Sequence, residues 1–157
     1  MTESTDKKHI EMLREQFGDD IYTKTKWEGR GADWLVQWFA NFVNNAEADI
    51  SIPMTFTVGG SLISGYLISE TTYFNQLASD FSGALPEAAK ESGRDLIKIL
   101  QPKQSAHEDD NAAEQFVHLR DAKVFTDASK PITAQGVLWR GKISSVEGFS
   151  LGSITSN

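Results

Sequence analysis

The chain contains no cysteine, three histidines and four prolines in 157 residues. Without cysteine there are no disulfides, no thiolate metal ligands and no sulfur nucleophile, and the composition suits a reducing cytoplasm. A membrane-spanning helix needs about 20 consecutive apolar residues, and no run in the chain approaches that length. The first residues are polar and charged, which excludes a secretory signal peptide.

What is present is enough to fold. Apolar residues make up 39% and aromatics 10% of the chain, sufficient for one domain with its own core. The net charge is −7, but its placement says more. Residues 1–30 hold seven acids and six bases, leaving fifteen of the 22 acids and nine of the 15 bases for the rest. An acidic body repels phosphate, so neither nucleic acid nor an anionic membrane is an expected partner. Lys7-Lys8 and Lys24/Lys26 read as parts of a solvated charged tail. Residues 1–30 are accordingly expected to be weakly ordered, with at most a short helix where Ile10, Leu13 and Phe17 share a face.

Residues 31–157 read as a single α+β domain. Asp33 is placed to cap a helix running to about Asn45. Trp34, Leu35, Trp38, Phe39, Phe42 and Val43 form its broad apolar face, with Gln37, Asn41 and Asn44 elsewhere. From Ile50 to Val58 apolar and polar residues alternate, as in a half-buried strand, and Pro53 suggests an edge or a bulge. Gly59-Gly60 suits a tight hairpin turn. Ser61 to Ser69 returns as the partner strand, where Gly65 marks a bulge or a close backbone approach. Ser69 then caps a helix from Glu70 to about Phe81, with Phe74, Leu77 and Phe81 inward. A further helix starts near Pro86, carries an apolar edge of Leu96, Ile99 and Leu100, is weakened by Gly93 and stops at Pro102. Residues 103–113 read as a mobile acidic loop.

Three more strands are predicted: Phe116 to Phe125, Val137 to Ile143, and Phe149 to Ile154. The order predicts about five short antiparallel strands in a bent sheet or small open barrel. An aromatic helix precedes the sheet, and a helical insert lies between strands 2 and 3. The same order also fits an Sm-like or SH3-like small-barrel module that binds RNA or protein, although the acidic charge and the long insert oppose RNA.

No catalytic apparatus is visible. Gly148-Phe149-Ser150-Leu151-Gly152 spells the serine-hydrolase elbow, but that elbow needs a strand, a turn, a helix and a downstream histidine. Only five residues follow Gly152 and none is histidine. His107-Glu108-Asp109-Asp110 crowds its donors in a polar stretch, which makes a poor metal site. His118 alternates with Val117 and Leu119, so it is expected to face solvent or a partner. No lysine-serine/threonine pair follows the glycines at phosphate-loop spacing. The remaining candidates are surfaces: the helix with Trp34, Trp38, Phe39 and Phe42, and the Trp139-Arg140 pair, since Trp and Arg dominate interface hot spots.

The segments ISIPMTFTVGGSLISGYLIS (50–69), Tyr73-Phe74, FVHL (116–119) and VLWRGKISSVEGFSLGSI (137–154) resemble the gas vesicle protein U family. The likeness spans roughly residues 33–154, and WRGKI followed by V-(D/E)-G-F is its most specific part. The resemblance implies a non-enzymatic accessory protein without a cofactor, cytoplasmic and associated with gas vesicles. It implies a homo-oligomer that promotes vesicle clustering, with itself and the vesicle shell or other gas vesicle proteins as partners. Trp139, Arg140, Gly141, Gly148, Phe149 and Gly152 are the motif positions it carries over, as structural or interface elements.

Overall fold

A computed structural model describes residues 31–102, 113–127, 130–132 and 134–154. The segment 1–30 and residues 103–112, with His9 and His107, lie outside the described residues.

Helix α1 spans Trp34–Asn45, and the Asp33 carboxylate accepts from the Leu35 amide at 2.9 Å, as the capping rule requires. Strands β1 (Ile52–Val58) and β2 (Ser61–Ile68) form a hairpin. Its two turn residues, Gly59 and Gly60, both have positive φ (57° and 79°), the backbone of a type I′ turn. Helix α2 (Glu70–Gly83) is capped by Ser69, whose hydroxyl accepts from the Thr72 amide. A short 3-10 turn leads into α3 (Lys90–Leu100), followed by β3 (Phe116–Phe125), β4 (Val137–Lys142) and β5 (Gly148–Leu151).

The five strands form one open sheet in the order β4-β3-β2-β1-β5, every neighbouring pair antiparallel. This is the expected α+β arrangement, and the sheet does not close into a barrel. Pro53 lies in β1, which is not an edge strand. Its carbonyl accepts from the Gly152 amide at 2.7 Å. In an antiparallel ladder a residue's N–H and C=O point the same way, so its missing N–H falls where the pairing with short β5 runs out. Gly65 is the close approach anticipated for it. An added Cβ would lie 2.8 Å from the Arg120 carbonyl oxygen, where the β2–β3 register shifts and Asp121 takes a positive φ of 51°.

The inner face of the sheet carries the main core. Met54, Phe56, Ile63, Leu67, Val117, Leu119, Ala122 and Ile143 meet Val36, Ala40 and Val43 of α1. The side of α1 that packs is therefore not the broad aromatic one. Val36, Ala40 and Val43 are slim and spaced by a turn each, so the helix axis comes close to the strands. Trp34 and Phe42, each 43% exposed, stand on the far side. Gln37, expected outside, is buried, and its Nε2 donates to the Glu114 carbonyl at 3.0 Å. It thereby ties the start of β3 to the helix.

A smaller cluster on the outer face holds α2. Ile68, Tyr73 and Phe74 pack there with Leu77, Ile97 and Leu138. Phe81, expected inward, is 40% exposed. The helix turns Tyr73, Phe74, Ala78 and Ser82 to the interior instead. Phe81 lies beside Gly93 of α3, where an added Cβ would collide with Leu85. Gly93 thus costs helix propensity but lets α2 and α3 come together.

Candidate functional site

The terminal motif folds as β4, a 3-10 turn (Ile143–Ser145) and β5, and alternation splits its first two residues. Trp139 turns inward, opposite Leu119, and stacks on Phe56 with ring centroids 6.4 Å apart. It is part of the core wall. The indole lies over Gly141, where any Cβ would strike it. Gly141→Ala is therefore expected to push the indole off Phe56 and destabilise the fold by about 1–3 kcal/mol. Urea unfolding followed by tryptophan fluorescence checks this.

Arg140 turns outward. Its guanidinium carbon sits 3.6 Å over the Phe116 ring, a cation–π contact, and its Nε donates to His118 Nε2 at 3.2 Å. His118, expected to face solvent or a partner, is 3% exposed. Its ring lies 4.5 Å from that of Tyr73 and 6.5 Å from that of Phe74. The expectation failed because alternation places a residue on a face without saying what covers that face. Here α2 covers it. Burial, then the Arg140 charge, lowers the His118 pKa to about 4. Near it, burial and the Glu114 charge raise the Glu70 carboxyl while Arg140 opposes them, and burial raises the Tyr73 phenol. Nε2 of the imidazole accepts from Arg140 and its ring packs on Tyr73 and Phe74, so the cluster glues α2 to the sheet.

The rest of the motif closes the other edge. The Glu147 carboxylate accepts from the Gly59 amide at 2.9 Å, and the Glu147 amide donates to the Thr57 carbonyl, so this turn clasps the tip of the β1–β2 hairpin. Phe149 meets Phe39 of α1 edge to face at 5.9 Å. Gly152 has φ +108°, a conformation side chains avoid, and its carbonyl accepts from the Thr55 hydroxyl at 2.9 Å. The Ile154 amide then donates to the Ser64 hydroxyl. Residues 152–154 thus form a strap over the outer face of β1 and β2. Nothing in the structure requires glycine at 148.

A family model described as gas vesicle protein GvpU-like matches residues 33–154. The chain belongs to the GvpU-like family. The match begins at the cap of α1 and ends at the residue whose amide closes the strap, so it spans every element described above. The GvpU-like chain is a gas vesicle associated protein, and its family is not a known enzyme family. No curated protein and no solved structure matches it. Gly148 to Gly152, which spell the hydrolase elbow, make strand β5 and the strap rather than a strand, turn and helix. Among the described residues no group of three or more His, Cys, Asp or Glu could hold a metal ion, and no helix is long and apolar enough to cross a membrane.

Among the described residues, two helices carry clusters of exposed large apolar side chains. On α1, Trp34 and Phe42 are exposed, and Trp38 stacks on Phe42 at 5.5 Å and meets Phe39 edge on at 5.1 Å. On α3, Gly93 and Ile97 face α2, while Leu96, Ile99 and Leu100 stand 51%, 76% and 62% exposed. At 100° per residue those three occupy one flank of the helix, and Glu91, Arg94, Asp95 and Lys98 occupy the other. The sequence showed this apolar edge but not that it would stay exposed among the described residues.

Proposed function

We propose that this GvpU-like chain is a non-enzymatic accessory protein that associates with copies of itself and promotes the clustering of gas vesicles. The observation that carries the reading is the bare aliphatic flank of α3. Three large side chains stay in water beside a charged flank, a pattern that marks contact surfaces rather than chance exposure. The aromatic side of α1 and the two sheet edges, β4 and β5, offer further sites of contact. Several weak sites on one protein multiply into avidity between oligomers, and between oligomers and a vesicle. The partners in this reading are other copies and the vesicle shell or other gas vesicle proteins, in the cytoplasm, without nucleic acid or membrane. Trp34, Trp38, Phe39, Phe42 and Arg140 serve as contacts, and Trp139, Gly141, Phe149 and Gly152 as their support.

Purified gas vesicles test it directly. The protein is expected to float with them and to raise turbidity with its own concentration. Changing Leu96, Ile99 and Leu100 together to serine is expected to weaken both by about tenfold or more, since each buried aliphatic side chain contributes over 1 kcal/mol. A monodisperse monomer at every salt and concentration, absent from the floating fraction, removes the proposal. Retarded single-stranded RNA in a low-salt gel would instead favour the small-barrel reading.

A further inference from the structure

The outer face of the sheet holds two clefts that meet at Asp121, and neither belongs to the contact surfaces already named. The larger, ≈ 400 Å³, lies between α2 and the β3–β4 side of the sheet. Leu138, which alternation turns to this face, lines it, and its two carboxylates come from different elements: Asp80 of α2 and Asp121 at the bulge. Gln76 donates to Asp80 Oδ1 at 2.7 Å, which aims that carboxylate. Among the described residues no side-chain bond holds the Asp121 carboxylate, and its backbone is kept at φ 51°. Gly136 is pressed against it, for a Cβ there would lie 2.5 Å from the Asp121 Cα. A non-glycine residue held in that region points to a position the surrounding structure over-determines.

Arg120 also borders this cleft, but its Nη2 donates to Ser51 Oγ at 3.1 Å, drawing the guanidinium toward the β1 side. What remains is the aliphatic Leu138 beside two carboxylates, which suits a lysine: the methylene stem on Leu138, the ammonium at an acid. The smaller cleft, ≈ 240 Å³, runs on past Asp121 between Tyr66, Lys123 and the strap residues Ser153 and Ile154. It offers the opposite charge.

We propose that this pair of clefts is the docking site for the N-terminal segment 1–30 of a second copy, with Lys24 and Lys26 directed at Asp80 and Asp121. The segment carries six of the chain's 15 bases and seven of its 22 acids, so it brings both signs to a groove that presents both. In an extended segment residues two apart lie on one side about 7 Å from each other, so Lys24 and Lys26 reach the groove together. A second copy is the occupant because α1, into which the segment runs, packs on the inner face, whereas the clefts open on the outer one. The inference rests on the self-association proposed above and assigns it one acceptor.

The absence of cysteine makes the test clean. Full-length chains carrying Glu28→Cys are mixed with chains carrying Gln76→Cys at the cleft, or Ser144→Cys just past the far end of β4. After oxidation, the cleft pair is expected to form disulfide dimers about fivefold above the control pair, and Asp80→Asn with Asp121→Asn to cut that yield about fivefold, as loss of about 1 kcal/mol of ion pairing would. Asparagine tolerates the positive φ at 121. Equal yields at the two positions overturn the docking site. A chain bearing Glu28→Cys and Gln76→Cys together that closes on itself overturns the choice of a second copy. Sedimentation of the same samples separates the failures: association without selective cross-linking sinks the docking site alone, and no association sinks both readings.

Discussion

Phe56→Ala is expected to lower the unfolding free energy by about 3–5 kcal/mol. Phe56 is fully buried on β1, in the middle of the inner core cluster, and the indole of Trp139 stacks on it. Removing its ring deletes the largest wholly buried side chain among the described residues and leaves a cavity that neighbours on β2, β4 and β5 cannot fill by moving alone. Against a total stability of about 5–15 kcal/mol for a domain of this kind, that is a large share. The urea midpoint is expected to fall sharply, with tryptophan emission shifting to the red in the native baseline as Trp139 loses its stacking partner. An unchanged midpoint would show that the β1–β4 core does not exist as described.

The second large effect is a dependence on acid. His118 keeps an unfolded-state pKa near 6.5 but about 4 when folded. Because the folded value is the lower one, the unfolded chain binds its proton first. Full stability is present above about pH 6.5, falls as the pH drops, and levels off below about 4. The gap is worth at most about 3 kcal/mol. The groups against the imidazole are Arg140 from β4 and Tyr73 and Phe74 from α2, and the Arg140 charge also acts on the Glu70 carboxyl, an effect Glu114 opposes. The raised Glu70 carboxyl works in the opposite direction, since its folded form prefers the proton, so it blunts the loss. His118→Phe keeps a ring against Tyr73 and removes the titration. Its stability between pH 4 and 6.5 is expected to fall much less than that of the parent, measured as urea midpoints on both proteins. Parallel curves would place His118 in water, off the face of the sheet.

Much of the framework was legible from local chemistry. Asp33 and Ser69 cap the helices they were expected to cap, because a short oxygen-bearing side chain before an apolar run has few other uses. Gly59-Gly60 turns the hairpin, and Phe116 to Phe125 is β3 to the residue. The terminal motif marked the family correctly, while most of its members turn out to build the fold: Glu147 clasps a hairpin tip and Gly152 starts the strap. Burial was harder. On α1 and α2 the hydrophobic pattern was wide enough to fit more than one orientation: Phe81 was expected inward but stays exposed, and the broad face of α1 did not reveal that Val36 and Ala40 would pack while Trp34 and Phe42 stay out. For His118, its strand position was readable but its neighbour across the sheet was not, since Arg140 is 22 residues away and joined only by register.

The amino-acid order by itself settles most of which stretches become helix, strand or turn, and it carries the terminal motif that marks the family, since both follow from residues within a few positions of one another. The three-dimensional arrangement alone chose which side of each helix meets the sheet, which aliphatic side chains stay bare, and which charges become neighbours. Those outcomes depend on close contact between distant segments: shape and register select among faces that are equally oily in one dimension.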